Sequence, residues 1–202
     1  MGRIVTVHSF RGGTGKSNIT ANLAYLLAKR GKSVAVLDTD IQSPGIHLIF
    51  GIKPERITHT LSDSVLGKCD LEEAAYDLSH ELQLDPADGK VSLLPASMAI
   101  DDISRVLAEG YNANKLNKEF KQLINTLDLD YLLLDTHPGL NRETMLTTSI
   151  SDLLILIIRP DKQDYHGTAV LVEVANRLQT PRLRFFLATW LAILQESSDS
   201  YG

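Results

Sequence analysis

Apolar residues along the chain fall into two alternating kinds of segment. Short, nearly continuous runs occur at Ile4–Val7, Ser33–Leu37, Val91–Leu94, Tyr131–Leu134, Leu153–Ile158 and Leu183–Ala188. Such runs, rich in Val, Ile and Leu, predict strands buried on both faces. Between them apolar residues return at helical spacing. Asn18–Arg30 predicts a helix closed by Gly31 as its C′ residue, with Lys29 and Arg30 at the negative end of its dipole. Asn114–Leu127 sets Leu116, Phe120, Leu123 and Leu127 on one helical face, a stripe that predicts packing on the core. Residues 51–90 are less regular, broken by Pro54, Gly67, Pro86 and Gly89, and predict a surface excursion with a helix near Leu71–Leu78. Strands alternating with helices predict an α/β fold: a mostly parallel sheet with helices on both faces.

Composition narrows the class. At 202 residues and 44% hydrophobic, the chain is expected to form a single domain over 1–202 with a substantial core. Cys69 is its only cysteine, which excludes an internal disulfide and any multi-cysteine metal site within one chain. The formal net charge of −5 argues against a uniformly basic nucleic-acid surface. No signal-peptide pattern precedes the first run, and no apolar stretch reaches the roughly 18 residues that span a bilayer, so the expected location is cytoplasmic.

The chemistry gathers where strands end. Residues 9–17 read SFRGGTGKS, directly after the first apolar run and before the first helix. The ordinary phosphate loop, G-x-x-x-x-G-K-[ST], turns backbone amides toward phosphate oxygens. Here Phe10 stands where its first glycine would be, and Gly12, Gly13 and Gly15 carry the loop's freedom. Gly12, Gly13, Thr14, Gly15, Lys16, Ser17 and Asn18 are therefore the candidate nucleotide-binding residues. Lys16 is expected to reach the β and γ phosphates and Ser17 Oγ to ligate Mg²⁺. A dinucleotide fingerprint is rejected, because Asn18 stands where its last glycine should be. The second strand ends in Asp38, Thr39 and Asp40, aspartates suited to holding a metal's water shell or orienting an attacking water. The fourth run ends in Asp135, a Walker B arrangement, followed by Thr136, His137, Pro138 and Gly139. Gly139 is placed for its amide to sense a γ-phosphate. His137 is set aside as a catalytic base, since phosphoryl transfer needs positioning more than proton removal.

The strings RGGTGKS, LDTDIQSPG and LLLDTHPG, in this order and spacing, resemble the MinD/ParA family of deviant Walker A P-loop ATPases. SDLLILIIRPDKQDYHGTA is similar to that family's strand and helix after its second switch loop, and the likeness extends over about residues 1–180. The resemblance implies a P-loop NTPase fold, ATP and Mg²⁺ as cofactors, and a nucleotide-dependent homodimer dissolved by slow, partner-stimulated hydrolysis. It implies phosphate and metal roles for Lys16 and Ser17, the attacking water for Asp40, and the metal shell for Asp135, with Asp38 as a further metal-shell candidate. The family's signature lysine, which reaches the partner's phosphates, is Arg11 here. Arginine keeps the charge but changes the reach and the hydrogen-bond geometry. Cell-division placement, partition and related positioning tasks are the implied functions, with an activating protein partner and a membrane or nucleoid as the matrix.

Two other classes remain on the same residues: an ATP-dependent transferase or ligase acting on a small metabolite, and a nucleotide-binding interaction module with little hydrolysis. Beyond about residue 180 the family pattern is lost. The base-reading loop is not recognisable, so adenine specificity rests on resemblance. The apolar segment Phe185–Leu194, with Trp190, fits a final core strand, a partner surface or a shallow membrane contact, and the core strand is the expectation.

Overall fold

The computed structural model describes residues 2–109 and 113–187. Strands β1 (Arg3–His8), β2 (Ser33–Asp38), β3 (Tyr76–Asp77), β4 (Lys90–Leu94), β5 (Tyr131–Asp135), β6 (Leu153–Ile158) and β7 (Leu183–Leu187) form one sheet in the order β3-β4-β2-β5-β1-β6-β7. Every pairing is parallel except β3 on β4 at the edge. The helices are α1 (Lys16–Ala28), α2 (Ile46–Ile49), α3 (Leu61–Val65), α4 (Ile100–Glu109), α5 (Ala113–Thr126), α6 (Arg142–Ile150) and α7 (Lys162–Arg177).

Alternate strand residues serve two cores. Ile4, Ala35, Leu37, Leu132 and Leu134 face one side, where Leu116, Phe120 and Leu123 of α5 cover them. Val5, Val34, Val36 and Leu133 face the other, under Ala21, Ala24 and Ala28 of α1, whose small side chains let the helix lie close to the sheet. Phe120 is fully buried, and its truncation to alanine would cost about 3–5 kcal/mol.

The topology fixes where a ligand can sit. From β1 the chain passes through α1 to β2, beyond β5; from β5 it passes through α6 to β6, on the far side of β1. Connections thus diverge around β1 and β5, which makes the space outside the carboxyl ends of these strands the expected ligand crevice of such a sheet.

The six apolar runs form β1, β2, β4, β5, β6 and β7, the last described as far as Leu187. The first helix starts at Lys16, earlier than Asn18, and Gly31 closes it at φ 75°, donating its N–H to the Ala28 carbonyl at 2.8 Å. The expected helix near Leu71–Leu78 does not form. Only Leu71–Ala74 makes one tight turn, after which Tyr76 and Asp77 pair with β4 as β3. The Tyr76 hydroxyl accepts the backbone N–H groups of Thr58 and His59 at 2.7 and 2.8 Å. These long-range bonds hold the segment extended and override its local helical spacing. The segment 188–194, Trp190 included, lies outside the described residues.

Candidate functional site

Three loops meet at the crevice. The first joins β1 to α1. Gly13 and Gly15 sit at φ 71° and 84°, the left-handed region that glycine occupies without strain. Gly15 is the N-cap of α1 and brings no side chain to cap it, and the first turn holds no acidic residue. The leading amides and the positive end of the dipole are thus presented together, as an anion site requires. Asn18 is exposed on the outer side of that turn, its carbonyl taken by Asn22 Nδ2 at 2.7 Å. Thr14 is buried with its hydroxyl unpartnered.

Asp135 gathers the start of α1. Lys16 Nζ lies 3.9 Å from Asp135 Oδ1, Ser17 hydrogen-bonds the same carboxylate, and Thr20 Oγ1 is 3.4 Å away. Asp38 stands directly opposite Asp135 in the register of β2 and β5. Asp38 accepts the N–H groups of Asp40 at 3.0 Å and Gly45 at 3.2 Å. Burial, with the charge of Asp135 next, pushes the Asp38 carboxyl up to about 8. Burial likewise raises Asp135, against the pull of Lys16.

This pair bears on whether Mg²⁺ fits. Two carboxylates are thus buried on adjacent strands, and among the described residues Lys16 forms its ion pair with Asp135; a divalent cation would favour the ionised form of both acids. Among the described residues no three of His, Cys, Asp and Glu cluster into a self-sufficient metal site. Mg²⁺ is held through one or two protein oxygens plus phosphates and water, and Ser17, Asp135 and Asp38 are its candidate holders.

The loop after β2 carries Asp40. Its Oδ1 accepts the Ser43 N–H at 2.9 Å and is 2.8 Å from His137 Nδ1 on the loop after β5. Thr39 reinforces the junction, donating both its N–H and its hydroxyl to the Asp135 carbonyl at 2.9 Å. Gly139, at φ 88°, gives its N–H to the Ser9 carbonyl at 3.0 Å, so the amide expected to sense phosphate is tied to the glycine loop here.

Arg11 points away from the crevice toward α7. Its Nη1 donates to Gln163 Oε1 at 2.9 Å and lies 3.8 Å from Asp161 Oδ1, with the side chain 40% exposed.

His8 was not singled out in the sequence. It ends β1, buried behind the glycine loop, with Nδ1 2.7 Å from Thr136 Oγ1. That hydroxyl donates to the Val7 carbonyl at 3.0 Å, and the Gly139 backbone is a further hydrogen-bond partner of the ring. Burial, then the Lys16 ammonium, lowers its pKa to about 3 and keeps the ring neutral. Its place at the end of the strand feeding the glycine loop was the one available signal.

A family model described as an AAA domain matches residues 2–186. The chain is 31% identical over 176 residues to an uncharacterized ATP-binding protein of Methanocaldococcus jannaschii, covering 87% of this chain and 60% of that protein. It is 30% identical over 200 residues to the flagellum site-determining protein YlxH of Helicobacter pylori, covering 98% of this chain and 62% of that one. The chain thus spans about three fifths of these relatives' length, 60% and 62%. The septum site-determining protein MinD of Pyrococcus horikoshii, solved with Mg-ADP, superposes at a TM-score of 0.76 with 26% identity, covering 93% of this chain and 70% of that one. A likeness that runs through nearly every described element, from β1 to β7, makes this chain a member of the MinD/ParA family of deviant Walker A P-loop ATPases.

Proposed function

We propose that the chain is an ATP-controlled dimerisation switch of the spatial-positioning and partition kind, built as one ATPase domain over 1–202. The observation that carries this is the convergence of Lys16, Ser17 and Asp38 on Asp135 beneath an uncapped helix start. Mg-ATP, when bound, supplies the phosphoryl group to be hydrolysed. Amides from Gly12 to Asn18 would cradle its phosphates, Lys16 would neutralise the terminal ones, and Ser17, Asp135 and Asp38 would hold the cation. Asp40 would orient the attacking water. Gly139 and Asp38–Gly45 would order around the terminal phosphate and relax after hydrolysis.

Association needs energy as well as shape. Turning a 1:99 dimer population into 99:1 takes about 5.5 kcal/mol of differential binding. Arg11, exchanging Gln163 for a partner's phosphate, would supply part of it. Slow, partner-stimulated turnover suits such a switch, at a membrane or nucleoid surface reached from the cytoplasm. No helix among the described residues is long and apolar enough to cross a membrane. The roles named for the relatives, septum-site and flagellum-site determination, support positioning as the class of task.

The test is light scattering of the chain with and without Mg-ATP, in wild type and Lys16→Ala. ATP should raise the mass to that of a dimer in wild type only; equal dimerisation of the variant would contradict the assignment of the loop.

A further inference from the structure

His137 sits on the loop after β5 and Asp40 on the loop after β2, yet they meet at 2.8 Å through Nδ1 and Oδ1. The same Oδ1 accepts the Ser43 N–H at 2.9 Å. Among the described residues, the hydrogen bonds to the Asp40 carboxylate all end on Oδ1, which leaves Oδ2 as the oxygen available to a water. A carboxylate held by one donor can swing about its last torsion. Two donors from different loops fix its plane and decide which oxygen faces outward. Pro138 adds stiffness, because it confines the backbone of His137 to the extended region and so limits where the imidazole can go. Neither partner is freely solvated: the side chains are 25% and 11% exposed for His137 and Asp40.

We propose that His137 is a positioning residue for Asp40, orienting the carboxylate that aligns the attacking water while touching neither water nor phosphate itself. The inference rests on the role proposed for Asp40. It links the two loops: Asp40 is aligned only when the segment carrying Asp135, His137 and Gly139 is in place, so hydrolysis depends on the position of the second loop. In the order of its contacts this resembles any base oriented by a third group, except that here the imidazole orients and the carboxylate acts.

Steady-state hydrolysis of Mg-ATP by the full chain tests it, using His137→Ala and His137→Asn in wild-type and Asp40→Ala backgrounds. His137→Ala is expected to lower kcat about 10- to 100-fold, the range for a misplaced reacting group, while KM for ATP and ATP-driven dimerisation stay unchanged. His137→Asn, whose amide N–H can replace the Nδ1 donor, should recover most of the rate. In the Asp40→Ala background, His137→Ala should add no further loss, because the two act as one unit. Reduced turnover in Asp40→Ala with unchanged turnover in His137→Ala overturns the inference alone. Unchanged turnover in Asp40→Ala overturns the Asp40 assignment and the inference with it. Additive losses, or failure of asparagine to rescue a folded variant, also overturn it, since they would make the imidazole act independently.

Discussion

The phenyl ring of Phe10 fills the space that a side chain at Gly167 would need, so the residue replacing the first glycine of an ordinary phosphate loop is seated on helix α7. Phe10 also packs against Leu154, Leu156 and Leu171, and the beginning of the loop is thereby fixed to β6 and α7. The missing glycine is thus compensated by one at position 167, far along the chain. Gly167→Ala separates this account from a neutral one by sign. A helix-interior alanine at an open site would stabilise by up to about 1 kcal/mol. Here, overpacking against Phe10 should destabilise by about 1–3 kcal/mol and weaken Mg-ATP binding, measured by urea unfolding and nucleotide titration.

Arg11 makes its contacts to Gln163 and Asp161 at a partly exposed site, where such a pair is worth less than about 1 kcal/mol. A contact that weak is readily exchanged for a phosphate. Arg11→Ala should therefore reduce ATP-driven dimerisation strongly while monomer affinity for Mg-ATP changes little. Analytical ultracentrifugation beside calorimetry at low protein concentration reads the two separately, and equal losses in both would place the guanidinium's action within its own chain.

Asp38 makes a prediction about pH. Its folded pKa of about 8 lies above the ordinary value of 3.8, so the folded chain holds a proton that the unfolded chain gives up between those limits. The group's contribution to stability is full below pH 4 and is lost as pH rises toward 8, at up to about 1.4 kcal/mol per pH unit. Asparagine does not titrate. The stability of Asp38→Asn relative to wild type, without nucleotide or Mg²⁺, should accordingly grow from pH 5 to pH 8 in thermal unfolding. A difference that stays flat with pH would show that Asp38 is ionised throughout that range.

What the sequence discloses and what it hides divide along the range of the interactions. All strands but the short edge strand β3 were legible because each is a nearly unbroken apolar run, and α1 because its Gly31 terminus, preceded by Lys29 and Arg30, is a local signal. The glycine loop and the strand-end aspartates were legible because their chemistry lies in contiguous residues. The facing of Asp38 and Asp135 depends on β2 lying beside β5, an adjacency that chain order does not disclose. The His8–Thr136, Asp40–His137 and Phe10–Gly167 contacts are likewise products of the assembled sheet. Residues 71–78 misled for the same reason in reverse: a local helical spacing yielded to pairing with β4.

Every role assigned to the site follows from capture of a nucleoside triphosphate by the loop between β1 and α1. Isothermal titration of Mg-ATP into the folded wild-type chain tests this most directly. A saturable heat, with one nucleotide bound per chain and lost in Lys16→Ala, is the expected result. A folded chain that gives no binding heat with ATP or GTP in the presence of Mg²⁺ would contradict it.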